Sequence, residues 1–351
     1  MASSSAGSPL TAPISTELKP RTDGRLSTED RLGGVLWRFR AGAPMLGPPG
    51  VDAKSGQIYA GTTEGALHAL AADGSFLWSY SLNGALIGAP LTDERGVVYV
   101  ATSAKKLYAV RPGGRLLWNG RTTVTPATGL VHGPGGALCF RGRDNALHGV
   151  SRQGGLLWRI PLPGGASFGP RALGNGRVLV GTGSGEVRIF DAARRSTVVL
   201  VQGEVRAAAV SGNRVYAIAG GDLLAAEIGG SARWGSSGFT DLALGPGGLV
   251  AVNRASELHW YSAAGESERH VALGSTPSAA LAVAPSGQVF VPTDSGSVLI
   301  FAANGTLERE ISVAHAPLSD IVLDLERSRL LVAAGDGTLA ALSLTLAGVG
   351  R

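Results

Sequence analysis

Val97-Val-Tyr-Val-Ala-Thr-Ser-Ala-Lys-Lys-Leu-Tyr-Ala-Val110 is followed at once by a turn and the phrase Gly114-Arg-Leu-Leu-Trp118. The first run is apolar on consecutive positions, as in a strand covered on both faces. Small and polar residues then turn the chain into a second run, which makes a β-hairpin. The same passage stands one period earlier as Gln57-Ile-Tyr-Ala-Gly-Thr-Thr-Glu-Gly-Ala-Leu-His-Ala-Leu70, followed by Gly74-Ser-Phe-Leu-Trp78. Further hairpins begin near Ala137, Arg177, Arg214, Leu249, Gln288 and Arg329.

Trp37, Trp78, Trp118 and Trp158 recur at spacings of 41, 40 and 40 residues. The phrase decays later, to Val198-Val-Leu-Val201, Ala232-Arg-Trp234, Arg269-His-Val271 and Leu307-Glu-Arg-Glu310. A period near 40 marks solenoids, propellers or arrays. An extended segment precedes each hairpin, for example Leu242-Ala-Leu-Gly-Pro-Gly-Gly248, so each unit holds four strands. No helix-length stretch interrupts them. The reading is an all-β, eight-bladed β-propeller of four-stranded antiparallel blades.

The first Trp phrase, Gly34-Val-Leu-Trp37, precedes any hairpin, and the last hairpin ends near Leu342. The N-terminal strand is therefore expected to complete the last blade and close the ring, removing an exposed edge. Ser343-Leu-Thr-Leu-Ala-Gly348 competes for that slot. Residues 1–32 read as a flexible leader, 33–343 as the propeller and 344–351 as a short C-terminal tail.

Composition agrees. The chain has 53 Gly among 351 residues, about twice the usual share of roughly 7%. At 44% hydrophobic it is too apolar for a disordered chain. No Gly-X-Y triplet runs through it, which excludes collagen. No apolar stretch approaches the roughly 18 residues of a membrane-spanning helix.

The Gly-x-x-Leu-Trp phrase behind a Val-Tyr-Val-Ala-Thr…Leu-Tyr-Ala-Val hairpin resembles the Trp-docking repeat of pyrroloquinoline-quinone-like propellers. The resemblance spans roughly residues 33–343 and is strongest in the first four units. That family contains quinoprotein dehydrogenases as well as non-enzymatic members similar to BamB outer-membrane assembly proteins, the nearer match. WD40 repeats fit less well, because no periodic Gly-His…Trp-Asp pattern is present. The resemblance implies that Trp37, Trp78, Trp118, Trp158 and Trp234 dock neighbouring blades. It also favours the periplasm or outer membrane, although this chain carries no signal peptide or lipid-anchoring Cys.

For a quinoprotein dehydrogenase the resemblance implies adjacent cysteines over the quinone, a calcium site of carboxylate and amide ligands, and a catalytic Asp. Cys139 is the single cysteine and sits in the apolar phrase Ala137-Leu-Cys-Phe140, where a buried inert thiol is expected. No Asp-x-Asp-x-Asp-Gly loop appears. Asp294 and Asp336 occupy hairpin turns and are expected to bond their own backbone. His68, His148 and His259 take one position in different blades, so they cannot converge on a metal and are expected as filler at strand surfaces. Gly181-Thr-Gly-Ser-Gly185 reads as a turn, and Asn304-Gly-Thr306 is a glycosylation sequon by pattern alone. No Gly-x-Ser-x-Gly, His-Glu-x-x-His or P-loop is found. Neither enzyme activity nor a cofactor is expected.

Charge is uneven. Residues 95–215 hold 17 Lys/Arg against four acids, a balance of +13, whereas 1–94 carry −2 and 216–351 carry −6. Such a sector fits an acidic partner. One face would present Lys105, Lys106, Arg121, Arg141 and Arg143, and the opposite face Arg95, Arg111, Arg115, Arg152, Arg177, Arg194 and Arg195. The first group is favoured as a protein-docking surface. No aromatic residues alternate with the cations, so the pattern does not favour nucleic acid. A monomeric scaffold for protein partners is the leading reading. A quinone-dependent dehydrogenase, or a module binding carbohydrate or another anionic polymer, remains an alternative.

Overall fold

A computed structural model describes residues 21–22, 34–228 and 232–344. Eight sheets repeat along the described residues, seven of them ordered from their first strand to their fourth. Blade 1 comprises Gly50–Val51, Ile58–Gly61, Ala66–Leu70 and Phe76–Ser81. Blade 2 comprises Leu86–Thr92, Val98–Thr102, Lys106–Val110 and Leu116–Arg121. Blade 3 comprises Val131–His132, Leu138–Arg141, Ala146–Val150 and Leu156–Pro161. Blades 4 to 7 continue from Ala166 to Ser312 on the same plan. Two 3₁₀ turns, Pro134–Gly136 and Leu325–Arg327, are the only helical elements among the described residues.

Blade 8 is built from both ends of the ring. Val322–Asp324, Arg329–Ala333 and Thr338–Ser343 supply three strands, and Val35–Arg40 supplies the fourth, with Trp37 opposite Ala341 and Phe39 opposite Leu339. The N-terminal strand thus takes the closing slot. Outside it, Arg21–Thr22 pairs antiparallel with Arg40 and Phe39. The rest of residues 1–32, and the tail after Leu344, lie outside the described residues.

The first strands of successive blades lie against one another and form the inner wall. The second strands are the most buried, because both faces meet a neighbouring blade; Val98–Thr102 is buried throughout. The core is therefore divided into eight seams. Tyr59, Leu67, Val98 and Val110 join blades 1 and 2, and Tyr99, Leu107, Leu138 and Phe140 join blades 2 and 3. Burying apolar surface at about 25 cal/mol per Å² makes every seam a share of the fold's stability.

The seam between blades 8 and 1 carries an added polar lock. Arg329, buried, donates from Nε to Asp324 Oδ2 at 2.8 Å and from Nη2 to the Gly56 carbonyl at 3.1 Å. Its Nη1 donates to the Ala72 carbonyl of blade 1. A buried guanidinium is tolerated only when its donors are filled in this way.

Candidate partner-binding face

Docking of the outer strands sets the shape on which any site is displayed. Trp78 Nε1 donates to the Pro112 carbonyl of blade 2 at 2.6 Å, and Trp118 Nε1 to the Arg152 carbonyl of blade 3 at 2.7 Å. Each indole lies over a turn glycine of the next blade, Gly114 or Gly154, and Trp37 lies likewise over Gly74. A Cβ on these glycines would meet the rings at 2.9 Å or less, and all three have φ between +82° and +87°. Space and backbone both call for glycine. In blade 4 the corresponding left-handed residue is Arg194, φ 66°. Trp158 instead covers Gly149 of its own blade, where blades 1 and 2 carry Ala69 and Ala109. The Trp234 side chain lies outside the described residues.

Two docking residues escaped the sequence reading. Arg269 stands opposite Trp260 where the earlier blades place Trp, and donates to the Ala303 carbonyl of blade 7 at 2.9 Å while covering the Trp260 ring. Arg309 holds the same place in blade 7 and lies against Gly34. The signal was present: Gly265-x-x-x-Arg269 and Gly305-x-x-x-Arg309 keep the offset of Gly74-x-x-x-Trp78.

Blades 2 and 3, residues 86–161, contain ten Lys/Arg and three acids. All three acids are engaged. Asp93 and Glu94 both pair with Arg152, and Asp144 accepts from His148 at 2.9 Å and Arg159 at 2.8 Å. Burial pushes Asp144 up, but the His148 and Arg159 hydrogen bonds outweigh it and hold the carboxyl below its ordinary range. Lys105, Lys106, Arg121 and Arg143 consequently have no acidic partner among the described residues.

Lys105 and the Lys106–Arg121 pair occupy unfavourable positions. Lys105 sits in the hairpin turn at φ 59°, where blades 1, 4, 7 and 8 place Gly65, Gly185, Gly296 and Gly337. A side chain in that region costs on the order of 1 kcal/mol. Lys106 is directly opposite Arg121, a like-charge pair on adjacent strands that costs stability. Arg121 and Arg143 are exposed. Arg141 differs from the other four: half-buried, it donates through Nη1 to the Ala166 carbonyl of blade 4, and burial lowers its pKa. It staples the seam between blades 3 and 4.

Other singled-out groups stay apart. Cys139 is fully buried, and burial pushes its thiol up to about 12. His68 and His148 are buried rather than on strand surfaces, because the alternate face of an inner strand meets the next blade and not water. His259 bonds Asn253 at 3.1 Å. Asp336 accepts from its own turn at Thr338 N–H, 2.9 Å. Among the described residues no three His, Cys, Asp or Glu side chains gather as metal ligands. Near the inner wall, Asp241 and Asp320 accept from the backbone N–H groups of Leu281 and Ala280, both at 2.9 Å. These carboxylates tie down the short first strand of blade 7, Ala282–Val283, and were not anticipated from sequence.

A family model described as "Outer membrane protein assembly factor BamB" matches residues 22–143 and 143–342. The chain belongs to this family. Among solved structures, BamB from Moraxella catarrhalis is similar at 15% identity, with a TM-score of 0.69, over 88% of this chain and 99% of that one. Sqt1 of Saccharomyces cerevisiae is similar at 12% identity with a TM-score of 0.74, covering 89% and 99%. The computationally designed Ika8 protein gives 14%, 0.63, 87% and 97%. At such identities the structural likeness establishes the fold alone. Comparison with curated protein sequences gives no match. For this BamB-family propeller, function must be argued from its own surface.

Proposed function

We propose that this BamB-family propeller is a non-catalytic scaffold that binds an acidic protein surface through Lys105, Lys106, Arg121 and Arg143, in the context of outer-membrane protein assembly. One observation carries the reading: blades 2 and 3 spend their three acids internally and leave Lys106 facing Arg121 with no carboxylate between them. An acidic partner relieves that repulsion, and unpaired surface cations also speed encounter. The rigid ring holds these loops in fixed relation, as suits a docking surface. Arg141, placed in a blade seam, contributes by orienting the 141–145 turn.

The test is a crosslinking pull-down from envelope and cytosol fractions with the wild type and with Lys106→Glu/Arg121→Glu. A discrete set of proteins captured by the wild type and lost by the variant is the expected result. An unchanged set overturns the assignment of this face. Saturable quinone binding with alcohol- or sugar-dependent dye reduction would overturn the scaffold reading itself.

A further inference from the structure

In most blades the fourth strand bulges at one equivalent residue. Pairing with the third strand skips Leu36, Leu77, Leu117 and Leu157 in blades 8, 1, 2 and 3, and skips Glu268 and Glu308 in blades 6 and 7. Blade 4 pairs without a break through Ser196–Leu200 and so ends the series. The bulge itself therefore accepts a carboxylate. A charged residue at an edge bulge is also the usual protection of an exposed sheet edge. Four consecutive blades nonetheless place leucine there, exposed to 45%, 42%, 40% and 53%.

These leucines recur at one position along an arc of four successive outer strands. Each precedes a Trp, and Trp37, Trp78 and Trp118 each reach the next blade's turn, two to three residues before its own exposed leucines. Leu116 and Leu156 widen the arc in blades 2 and 3. Arg111 and Arg115 stand at one end of blade 2's outer strand and Arg121 at the other, none with an acidic partner among the described residues.

We infer that this outer rim is a second docking surface, and that its occupant is a protein segment with an apolar stripe flanked by acidic residues, laid across blades 1 to 3. Three observations select that occupant. The arc extends over four of eight blades, half a circumference, and no flat membrane surface touches all of it. The flanking charge is cationic, so two copies pairing symmetrically through this rim would set Arg115 and Arg121 against their own counterparts. The outer edge also pairs with extended chain within the molecule itself, where Arg21–Thr22 adds to blade 8. An apolar centre with a charged rim is the usual anatomy of a protein interface.

The experiment uses three probes on the full chain. A labelled synthetic amphipathic peptide, leucines flanked by glutamates, is titrated by fluorescence anisotropy beside the same peptide with lysines. Phosphatidylglycerol vesicles are tested by co-sedimentation, and self-association by analytical ultracentrifugation. The glutamate peptide should bind, and Leu117→Glu/Leu157→Glu should weaken it on the order of tenfold. Lys106→Glu alone should leave most of the affinity, which separates this rim from the face proposed above. Glutamate is already used at the bulge, and Leu117→Gln/Leu157→Gln serves if the first variant melts early. Equal affinity for both peptides, vesicle binding, dimerisation abolished by the leucine substitutions, or no binding to any probe each overturns the inference.

Discussion

His68 gives the sharpest test of how the ring is closed. Its ring lies in the seam between blades 8 and 1, 5.6 Å from Phe39 of the closing strand and 6.5 Å from Phe76. Neither ring nitrogen has a hydrogen-bond partner among the described residues. Burial alone pulls its pKa down from 6.5 to about 4. The folded state therefore resists protonation that the unfolded chain accepts. Stability is complete above the unfolded value and is lost as pH falls from 6.5 towards 4. Integrating this linkage gives a loss of about 2 kcal/mol between pH 7 and pH 5, and about 3 kcal/mol once the folded group also titrates. The control is His68→Leu, since blades 5 and 7 carry Leu224 and Leu299 at the same place. Urea midpoints at pH 7 and 5 should show a drop in the wild type larger by about 2 kcal/mol than in the variant, the difference cancelling carboxylates common to both. Parallel pH dependence in the two proteins would refute the buried, unpartnered state of His68.

Four further outcomes follow from other parts of the ring. Lys105→Gly relieves the left-handed turn and should stabilise the protein by about 1 kcal/mol while weakening capture of the acidic partner; thermal melts and pull-downs moving in the same direction would count against a strained functional lysine. Arg329→Met takes the donor from Asp324 Oδ2, leaving that carboxylate only its bond from Arg327 at 3.3 Å among the described residues, and strands two carbonyls of blade 1, and should cost about 3 kcal/mol in chemical denaturation. Adding Asp324→Asn should restore part of that loss. Asp241, whose carboxyl burial holds above its ordinary range despite the Leu281 N–H bond, should be improved by Asp241→Asn, with a higher Tm at pH 7 than at pH 4 relative to wild type. Trp118→Phe keeps the ring over Gly154 but loses the bond to the Arg152 carbonyl, costing about 1 kcal/mol in urea denaturation.

The architecture was legible because a period of 40 residues repeats one structural problem eight times, and Trp marks the same solution at Trp37, Trp78, Trp118 and Trp158. What stayed hidden depends on contacts the period does not encode. Arg269 replaces Trp by donating the same kind of bond to the next blade's turn, and a search for apolar residues passes over it. His68 and His148 alternate with leucines, which in a half-exposed sheet would place them in water; between blades both faces are interior. Arg141 lies beside Arg143 in sequence, but strand geometry turns one into a seam and the other outwards. The leucine bulges require the pairing register, which no residue pattern supplies.

The ring also provides its own controls, and they bear on where function lies. At the hairpin turn, blades 1 and 8 use Gly65 and Gly337 where blade 2 uses Lys105. At the pair beside it, blades 1, 3 and 6 set Ala66 against Ser81, Ala146 against Pro161 and Glu257 against Ala272, where blade 2 sets Lys106 against Arg121. At the outer bulge, blades 6 and 7 use Glu268 and Glu308 where blades 2 and 3 use Leu117 and Leu157. Each less stable choice has a more stable equivalent in the same chain, so the fold does not require it. Blade 2 carries all three of these choices, and blade 3 shares its exposed leucines and its surplus of cations. Departures that other blades avoid, gathered in one sector, are what a surface shaped by a partner would leave behind.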